Sequence, residues 1–186
     1  MGEQPVSVNC SGHVYKRTWS GTSVEVAREM GIEAYGLDLH SGFNILKSSI
    51  LEMVGKPSDL VLSHPPYHDM IPYSGSEWGR GGGPHPDDLS RCATEDQFMD
   101  KLYIALLNQR TATVIGGHYG LIIGDVRRGG RYFSPQAEII ARMPRDELRS
   151  VLIKAQHNMA SNSVRYAPLK FPKILHEYVV LWQKPA

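Results

Sequence analysis

The chain has 186 residues, 41% of them hydrophobic and 21% charged, with a formal net charge of +1, two widely spaced cysteines (Cys10 and Cys92) and eight histidines. The length suits one α/β domain with a sizeable core and is short for two, and the near-neutral charge excludes any global pull toward nucleic acid, so such binding has to come from a local patch. The absence of CxxC and of compact histidine spacing argues against a disulfide framework or a zinc site. With neither a basic-then-apolar leader nor a membrane-length apolar run, the expectation is a cytoplasmic protein with no membrane partner.

Residues 1–17 are poorly defined by pattern, with Val6-Ser7-Val8 a weak strand. Ser20-Gly21-Thr22-Ser23 then precedes apolar residues at helical spacing, Val24, Ala27 and Met30, and Gly31 supplies the stop. Ala34 to Leu39 reads as a strand ending on an acid, Asp38. A Gly-containing turn, a helix and a strand-end acid form the outline of a nucleoside-binding βαβ unit, in which small residues let backbone approach the ligand and the acid accepts from ribose hydroxyls. The same residues also read as an ordinary helix cap and a solvated acid. Ser41 to Lys56 predicts a turn and a short helix around Ile45, Leu46, Ile50, Leu51 and Val54.

The stretch Asp59-Leu60-Val61-Leu62-Ser63-His64-Pro65-Pro66-Tyr67 carries the strongest chemical signal. It is an apolar run of strand length that stops at two prolines, which have no N–H and fix φ, so the ladder cannot continue. His64, the Pro65 carbonyl and the Tyr67 ring are thereby presented at the carboxyl end of a strand, the edge where open α/β sheets bind ligands. Pro-Pro-aromatic also occurs as a plain strand stop, and the context has to decide between the two.

Residues 68–94 have loop composition, rich in Gly and Pro, with Tyr73, Trp78 and Arg80 suited to stacking and phosphate contact or to a plain surface insert. Glu95 to Gln109 predicts a helix with Phe98, Leu102, Ile104, Ala105 and Leu106 on a broad apolar face. Tyr119 to Asp125 is a buried-strand run ending on a second acid. It leads into Arg127-Arg128-Gly129-Gly130-Arg131, a Gly-rich loop whose arginines either grip phosphates or are simply solvated. Pro135 to Arg142 predicts a helix. Leu148 to Ala155 is a strand candidate, though Arg145 to Leu152 also fits a helix. Segment 156–173, with Asn158, Asn162 and Arg165, reads as a loop, and His176 to Lys184 as a last strand.

The order of these elements resembles the amino-group DNA methyltransferases that act on adenine N6 or cytosine N4. Their catalytic motif is Asp, Asn or Ser followed by Pro-Pro-aromatic, and His64 stands here in the first place. Ser20-Gly21-Thr22 matches the tail of their cofactor turn and Gly36-Leu37-Asp38 their strand-end acid, while Trp19 stands where the family has a small residue. The resemblance covers about residues 20–184. It implies a single Rossmann-like domain with a mostly parallel sheet and an antiparallel C-terminal strand, and S-adenosylmethionine as cofactor, held by Ser20, Gly21, Thr22, Asp38, Phe43 and Asn44. It further implies catalysis by His64, Pro65, Pro66 and Tyr67, in which two acceptors hold the exocyclic amine of a flipped base and the ring stacks on it. A neutral imidazole can accept in this way, whereas a protonated one only donates. DNA is the implied partner, met by Tyr73, Trp78, Arg80, Arg127, Arg128 and Arg131, with RNA, a homodimer or a separate specificity partner left open. No metal is implied.

Two other readings stay open. One is a catalytically impaired relative that binds nucleic acid, suggested by Trp19 and His64. The other is an α/β enzyme using a different nucleotide, disfavoured because no full GxGxxG follows a clear strand.

Overall fold

Six strands form one sheet in the computed structural model, which describes residues 6–9, 22–70, 74, 84–128, 130–156 and 172–186. β1 (Val6–Asn9), β2 (Ala34–Gly36), β3 (Ser58–Ser63) and β4 (Thr113–Ile123) pair in parallel. β8 (His176–Gln183) runs antiparallel to both of its neighbours, β4 and β7 (Leu148–Ala155), which gives the order β2-β1-β3-β4-β8-β7. The sheet is therefore mixed: three parallel junctions join β2, β1, β3 and β4, and both antiparallel junctions are made by β8, the C-terminal strand expected to be antiparallel.

The weakest strand of the sequence occupies a central place. Val6 of β1 is paired with Ala34 on one side and Leu60 on the other. A four-residue strand is too short for periodicity to declare it. Its position defines the fold: β2 lies on one side of β1 and β3 on the other, so the winding reverses between β1 and β3. Crevices at such a reversal, outside the carboxyl ends of the strands, are where open α/β sheets bind ligands.

Among the described residues four α-helices are each set by local signals. α1 (Thr22–Glu29) is tied to the start of β2 by the Arg28 guanidinium, whose Nη2 donates to the Ala34 carbonyl at 2.8 Å. Only Ile50–Val54 of the expected 41–56 segment is helical (α2): the Ser49 hydroxyl accepts from Glu52 N–H at its start, and Gly55, at φ +82°, ends it in the left-handed region. α3 (Glu95–Ala112) starts at Thr94, whose hydroxyl accepts from Gln97 N–H at 3.1 Å while the Gln97 side chain accepts from Ala93 N–H at 2.8 Å. α4 (Pro135–Arg142) has proline in its first turn and Ser134 as its cap.

The buried face of α3 is Phe98, Met99, Leu102, Ala105, Leu106, Gln109 and Ala112. Ile104, expected on that face, is 46% exposed, because a residue two positions from Leu102 points to the opposite side of a helix. Against α3 lie Val61 of β3, Tyr119, Leu121 and Ile123 of β4, and Val180 and Trp182 of β8, all in one hydrophobic cluster. Tyr119 stacks on Trp182 at 5.9 Å between ring centroids.

Gln109 is fully buried, and its polar groups decide how its amide sits. With its nitrogen donating to the carbonyls of Gly120 (2.7 Å) and Val61 (3.2 Å), its oxygen accepts from the Ser63 hydroxyl at 2.7 Å, so α3 is pinned to β3 and β4 directly beneath the strand ends. Near the other end of the sheet, buried Glu147 accepts from Arg110 (Nη2 at 2.6 Å, Nε at 2.8 Å) and from the Tyr119 hydroxyl at 2.5 Å. The Arg110 guanidinium holds the Glu147 carboxyl below its ordinary range.

Two further departures concern the loops. The Gly-rich arginine segment is a two-stranded hairpin, β5 (Val126–Arg128) and β6 (Arg131–Phe133), with Arg128 opposite Arg131. The 68–94 segment is anchored at its interior: buried Ser74 donates its N–H to Asp88 Oδ2 at 2.7 Å, and its hydroxyl accepts from Arg91 Nε at 2.7 Å and from His85 N–H at 3.0 Å. Among the described residues no helix is long and apolar enough to cross a membrane.

Candidate active site

β3 delivers His64-Pro65-Pro66-Tyr67 to the sheet edge at which β1, β2 and β4 also end and β8 begins. Both prolines are buried, and His64 and Tyr67 are partly buried. The chain then turns through His68, a buried residue at φ +53°, whose Nδ1 lies 2.7 Å from Asp69 Oδ1 and whose ring meets Phe98 edge-on at 5.6 Å. Positive φ is uncommon for a residue with a side chain and is kept only where the surroundings hold it. Here the preceding proline pair and the Phe98 contact do so.

Tyr67 crosses the edge of the sheet. Its ring lies against Gly124, where an added Cβ would come within 2.8 Å of a Tyr67 ring carbon, so glycine at this position is what admits the ring. Its hydroxyl donates to Glu177 Oε1 at 2.5 Å and lies 2.7 Å from His64 Nε2. The other carboxylate oxygen, Oε2, accepts from Lys154 Nζ at 2.6 Å. His64 Nε2 stands 3.9 Å from Glu177 Oε1, too far for a direct hydrogen bond, so the hydroxyl links them. Glu177 is 1% exposed. Burial pushes its carboxyl up, and the Lys154 ammonium, the Tyr67 hydroxyl and the nearby His64 outweigh that and leave it below its ordinary range.

A second carboxylate sits beside the first. Buried Asp125, which follows β4, accepts from the Tyr132 hydroxyl, from the Ser134 hydroxyl at 2.7 Å and, more weakly, from the Tyr178 hydroxyl at 3.3 Å. His176 Nε2 lies 2.8 Å from the Tyr178 hydroxyl. The edge therefore carries two chains of one kind, each running from histidine through tyrosine to a buried acid. Glu177, Lys154 and Tyr178 were not singled out in the sequence. Their signal is the run His176-Glu177-Tyr178 opening a strand, where an acid followed by an apolar strand is about to be buried.

On the other side of the switch point, the residues expected to hold a cofactor fall into three groups. Ser20 and Gly21 lie outside the described residues, and Thr22 is the first residue of α1. Asp38, just past β2, is half-buried; its Oδ1 accepts from His40 N–H at 2.7 Å, and burial pushes its carboxyl above the ordinary aspartate range. Phe43, expected near an adenine ring, is 3% exposed within the main core, and its N–H donates to the Asp38 carbonyl at 3.0 Å, closing the turn under the acid. Asn44 is likewise engaged inside the protein, donating to Asp87 Oδ2 at 2.8 Å and accepting from Leu46 N–H at 3.0 Å.

Of the residues expected to meet nucleic acid, Tyr73, Trp78 and Arg80 lie outside the described residues, as do Asn158, Asn162 and Arg165. The hairpin arginines have partners within the protein. Arg128 pairs with Asp69, holding that carboxyl below its ordinary range, and Arg131 pairs with Glu95. Arg127 donates to the Pro172 carbonyl at 3.1 Å and lies over the Tyr132 ring at 5.4 Å. In place of a loop of unpaired arginines, the structure has a hairpin whose charges are largely compensated. Among the described residues no cluster of three or more His, Cys, Asp or Glu side chains could hold a metal ion.

The fold is an α/β domain whose strand order reverses between β1 and β3, with His64-Pro65-Pro66-Tyr67 at the strand ends. No protein-family model matches the chain, and no curated protein matches it by sequence. Among solved structures, the candidate DNA modification methylase TTHA0409 of Thermus thermophilus, crystallised with S-adenosyl-L-methionine, is similar over 77% of this chain and 54% of its own, with 24% identity and a TM-score of 0.48. TrmN from Thermus thermophilus is similar over 98% of this chain and 44% of its own, with 12% identity and a TM-score of 0.48. The N-methyltransferase NodS from Bradyrhizobium japonicum, in complex with S-adenosyl-L-homocysteine, is similar over 100% of this chain and 80% of its own, with 12% identity and a TM-score of 0.47. The chain spans about half the length of the TTHA0409 structure.

Proposed function

We propose that this chain is an S-adenosylmethionine-dependent methyltransferase acting on the exocyclic amino group of adenine (N6) or cytosine (N4) in DNA. The observation that carries this reading is the placement of two strand ends on either side of the switch point. β2, followed by Asp38, and β3, followed by His64-Pro65-Pro66-Tyr67, are each parallel to β1 and separated only by it. At the usual spacing of neighbouring strands, about 10 Å divides them, which suits a nucleoside on one side and its reaction partner on the other.

The described residues fit the cofactor. Asp38 is a half-buried carboxylate pushed up by burial, so its anion gains from added donors such as the two hydroxyls of a ribose. α1 runs toward the start of β2, which puts its N-terminus on the side where β1 and β2 end and offers N–H groups to a carboxylate. Ser20, Gly21 and Thr22, the last at the start of α1, are proposed to hold the cofactor, and Phe43 and Asn44 shape the turn beneath Asp38. When bound, the cofactor supplies a methyl group on a sulfonium centre. His64 and the Pro65 carbonyl accept from the substrate amine, which keeps electron density on its nitrogen as the C–S bond breaks and the N–C bond forms. Tyr67 presents its ring to the base, Pro66 stiffens the turn, and the proton lost from nitrogen leaves through the acceptors to solvent.

Tyr73, Trp78, Arg80 and Arg127 are proposed to meet the nucleic acid, with Arg128 and Arg131 bracing the hairpin that carries Arg127. The test is a titration with S-adenosylmethionine followed by transfer of labelled methyl to duplex DNA. Saturable cofactor binding and transfer that disappears in Tyr67→Ala support the reading; no cofactor binding overturns it.

A further inference from the structure

We infer that Tyr132, on the outer face of the β5–β6 hairpin, is a preset stacking platform for an unpaired nucleobase next to the one that is methylated. That the ligand is a nucleobase rests on the nucleic-acid partner of the methyltransferase reading; the fixing of the ring rests on the hairpin geometry alone.

The placement follows from strand alternation. Val126 is paired with Phe133, and Arg127 with Tyr132. Opposite residues of an antiparallel pair share a face and successive residues alternate, so buried Val126 and Phe133 form the inner face and Arg127 and Tyr132 the outer one. Tyr132 is 45% exposed, yet its ring is held at two points. Its hydroxyl donates to Asp125 Oδ2, and the Arg127 guanidinium lies over one face of the ring, 5.4 Å from the centroid. Asp125 is itself fixed, since it is buried and its Oδ1 accepts from the Ser134 hydroxyl at 2.7 Å. Burial and the Asp125 carboxylate push the Tyr132 phenol up, so it remains a donor.

A tyrosine on a protein surface ordinarily keeps its hydroxyl in water and its ring mobile. Here the ring is ordered before anything binds, so a base that stacks on it meets little further loss of side-chain freedom. The surroundings favour nucleic acid over other planar ligands. Arg128 and Arg131 stand on the same hairpin with more than half of each side chain exposed, and their exposed pairs with Asp69 and Glu95 are weak enough to be shared with a phosphate. Arg127 donates to the Pro172 carbonyl, which sets exposed Lys173 beside the hairpin. Aromatic rings set among cations that follow a phosphate backbone are how unpaired strands are held. The position also suits the reaction: Asp125 follows Gly124, against which the Tyr67 ring lies, so the platform is anchored one residue from the contact made by the Pro-Pro motif.

The experiment uses the full chain and single-stranded DNA of one length in three forms: with ordinary bases, abasic throughout, and with 5-iodouracil in place of thymine. Tyr132→Leu is expected to weaken binding of the base-bearing strand roughly 10-fold, as the loss of one stacked base does, and to leave binding of the abasic strand unchanged, because the phosphate contacts stay. Tyr132→Phe keeps the ring and drops the tether to Asp125, so a loss of only a few-fold is expected. Irradiation of the iodouracil strand on the unsubstituted protein is expected to crosslink it to Tyr132, read by mass spectrometry of the peptides.

Equal affinity of Tyr132→Leu and the unsubstituted protein for the base-bearing strand overturns the inference, as does an equal loss on the abasic strand. Should thermal unfolding show that Tyr132→Leu does not fold, the crosslink decides, and a set of crosslinked peptides without Tyr132 overturns it. If Tyr132 stacks as described but no methyl group is transferred from S-adenosylmethionine, the proposed activity falls and the platform stands. Transfer to DNA with a KM unaltered by Tyr132→Leu removes the platform and keeps the activity.

Discussion

The Tyr67 hydroxyl donates to Glu177 across 110 residues of sequence, joining the end of β3 to the start of β8 at 2.5 Å. This bond closes the edge of the sheet over which the proposed reaction takes place. It makes the aromatic residue of the motif a structural tie as well as a stacking surface, and the two roles can be separated by substitution.

Tyr67→Phe removes the hydroxyl and keeps the ring. A buried carboxylate loses one of its donors, and the expected cost is about 1–3 kcal/mol of unfolding free energy. Urea denaturation checks it; a change within error of zero means that Lys154 alone satisfies Glu177.

Gly124→Ala places a methyl group 2.8 Å from the Tyr67 ring. Overpacking of this kind is expected to cost about 1–3 kcal/mol. In a Tyr67→Ala background the space is vacant, so most of that cost should vanish. A double-mutant cycle reads the coupling, and additive effects would show that the ring is not what Gly124 makes room for.

Acid stability follows from Glu147. Its carboxyl lies below the ordinary range because of Arg110, so its contribution is present above the unfolded value near pH 4.5 and is lost as pH falls through the depressed folded value. Arg110→Met removes the cause and strands a buried acid, at an expected cost of about 3 kcal/mol at neutral pH. The variant should also lose less stability than the parent as pH drops from 5 to 3. Denaturation curves across that range measure both.

Asp38→Asn tests the other side of the crevice. Burial raises the Asp38 carboxyl, so its anion opposes folding at neutral pH, and an uncharged amide that still accepts from His40 N–H should leave the ligand-free protein as stable or slightly more so. The rise in melting temperature on adding S-adenosylmethionine should shrink or disappear. A full thermal shift in the variant removes Asp38 from the proposed cofactor site.

How much of this was legible in the sequence depends on how far apart the cooperating residues stand. His64-Pro65-Pro66-Tyr67 announced itself because proline stops a ladder by covalent geometry, whatever surrounds it. Helix α3 was legible through its apolar spacing, apart from Ile104, whose side was misjudged. β1 was barely visible, since four residues show no period and its pairing partners, β2 and β3, lie far along the chain. Phe43 shows the opposite limit: the resemblance implies a ligand contact there, a lone aromatic is more often core, and packing placed it at 3% exposure. The hairpin arginines read as loop cations because their acceptors, Asp69 and Glu95, lie in other segments. The run His176-Glu177-Tyr178 hinted only at burial of Glu177, and its partner Tyr67 stands 110 residues away.

The anchoring of Ser74 by Asp88, Arg91 and His85 bears on how this domain can change over time. Because the stem of that excursion is stapled by buried hydrogen bonds, the stretch between Ser74 and His85 begins and ends at a fixed frame. Each doubling of a closed segment's length costs only about 0.6 kcal/mol. Lengthening the chain between these two anchors should therefore cost little while the Pro-Pro strand keeps its seat, which makes this the place where the domain can take on new sequence most cheaply.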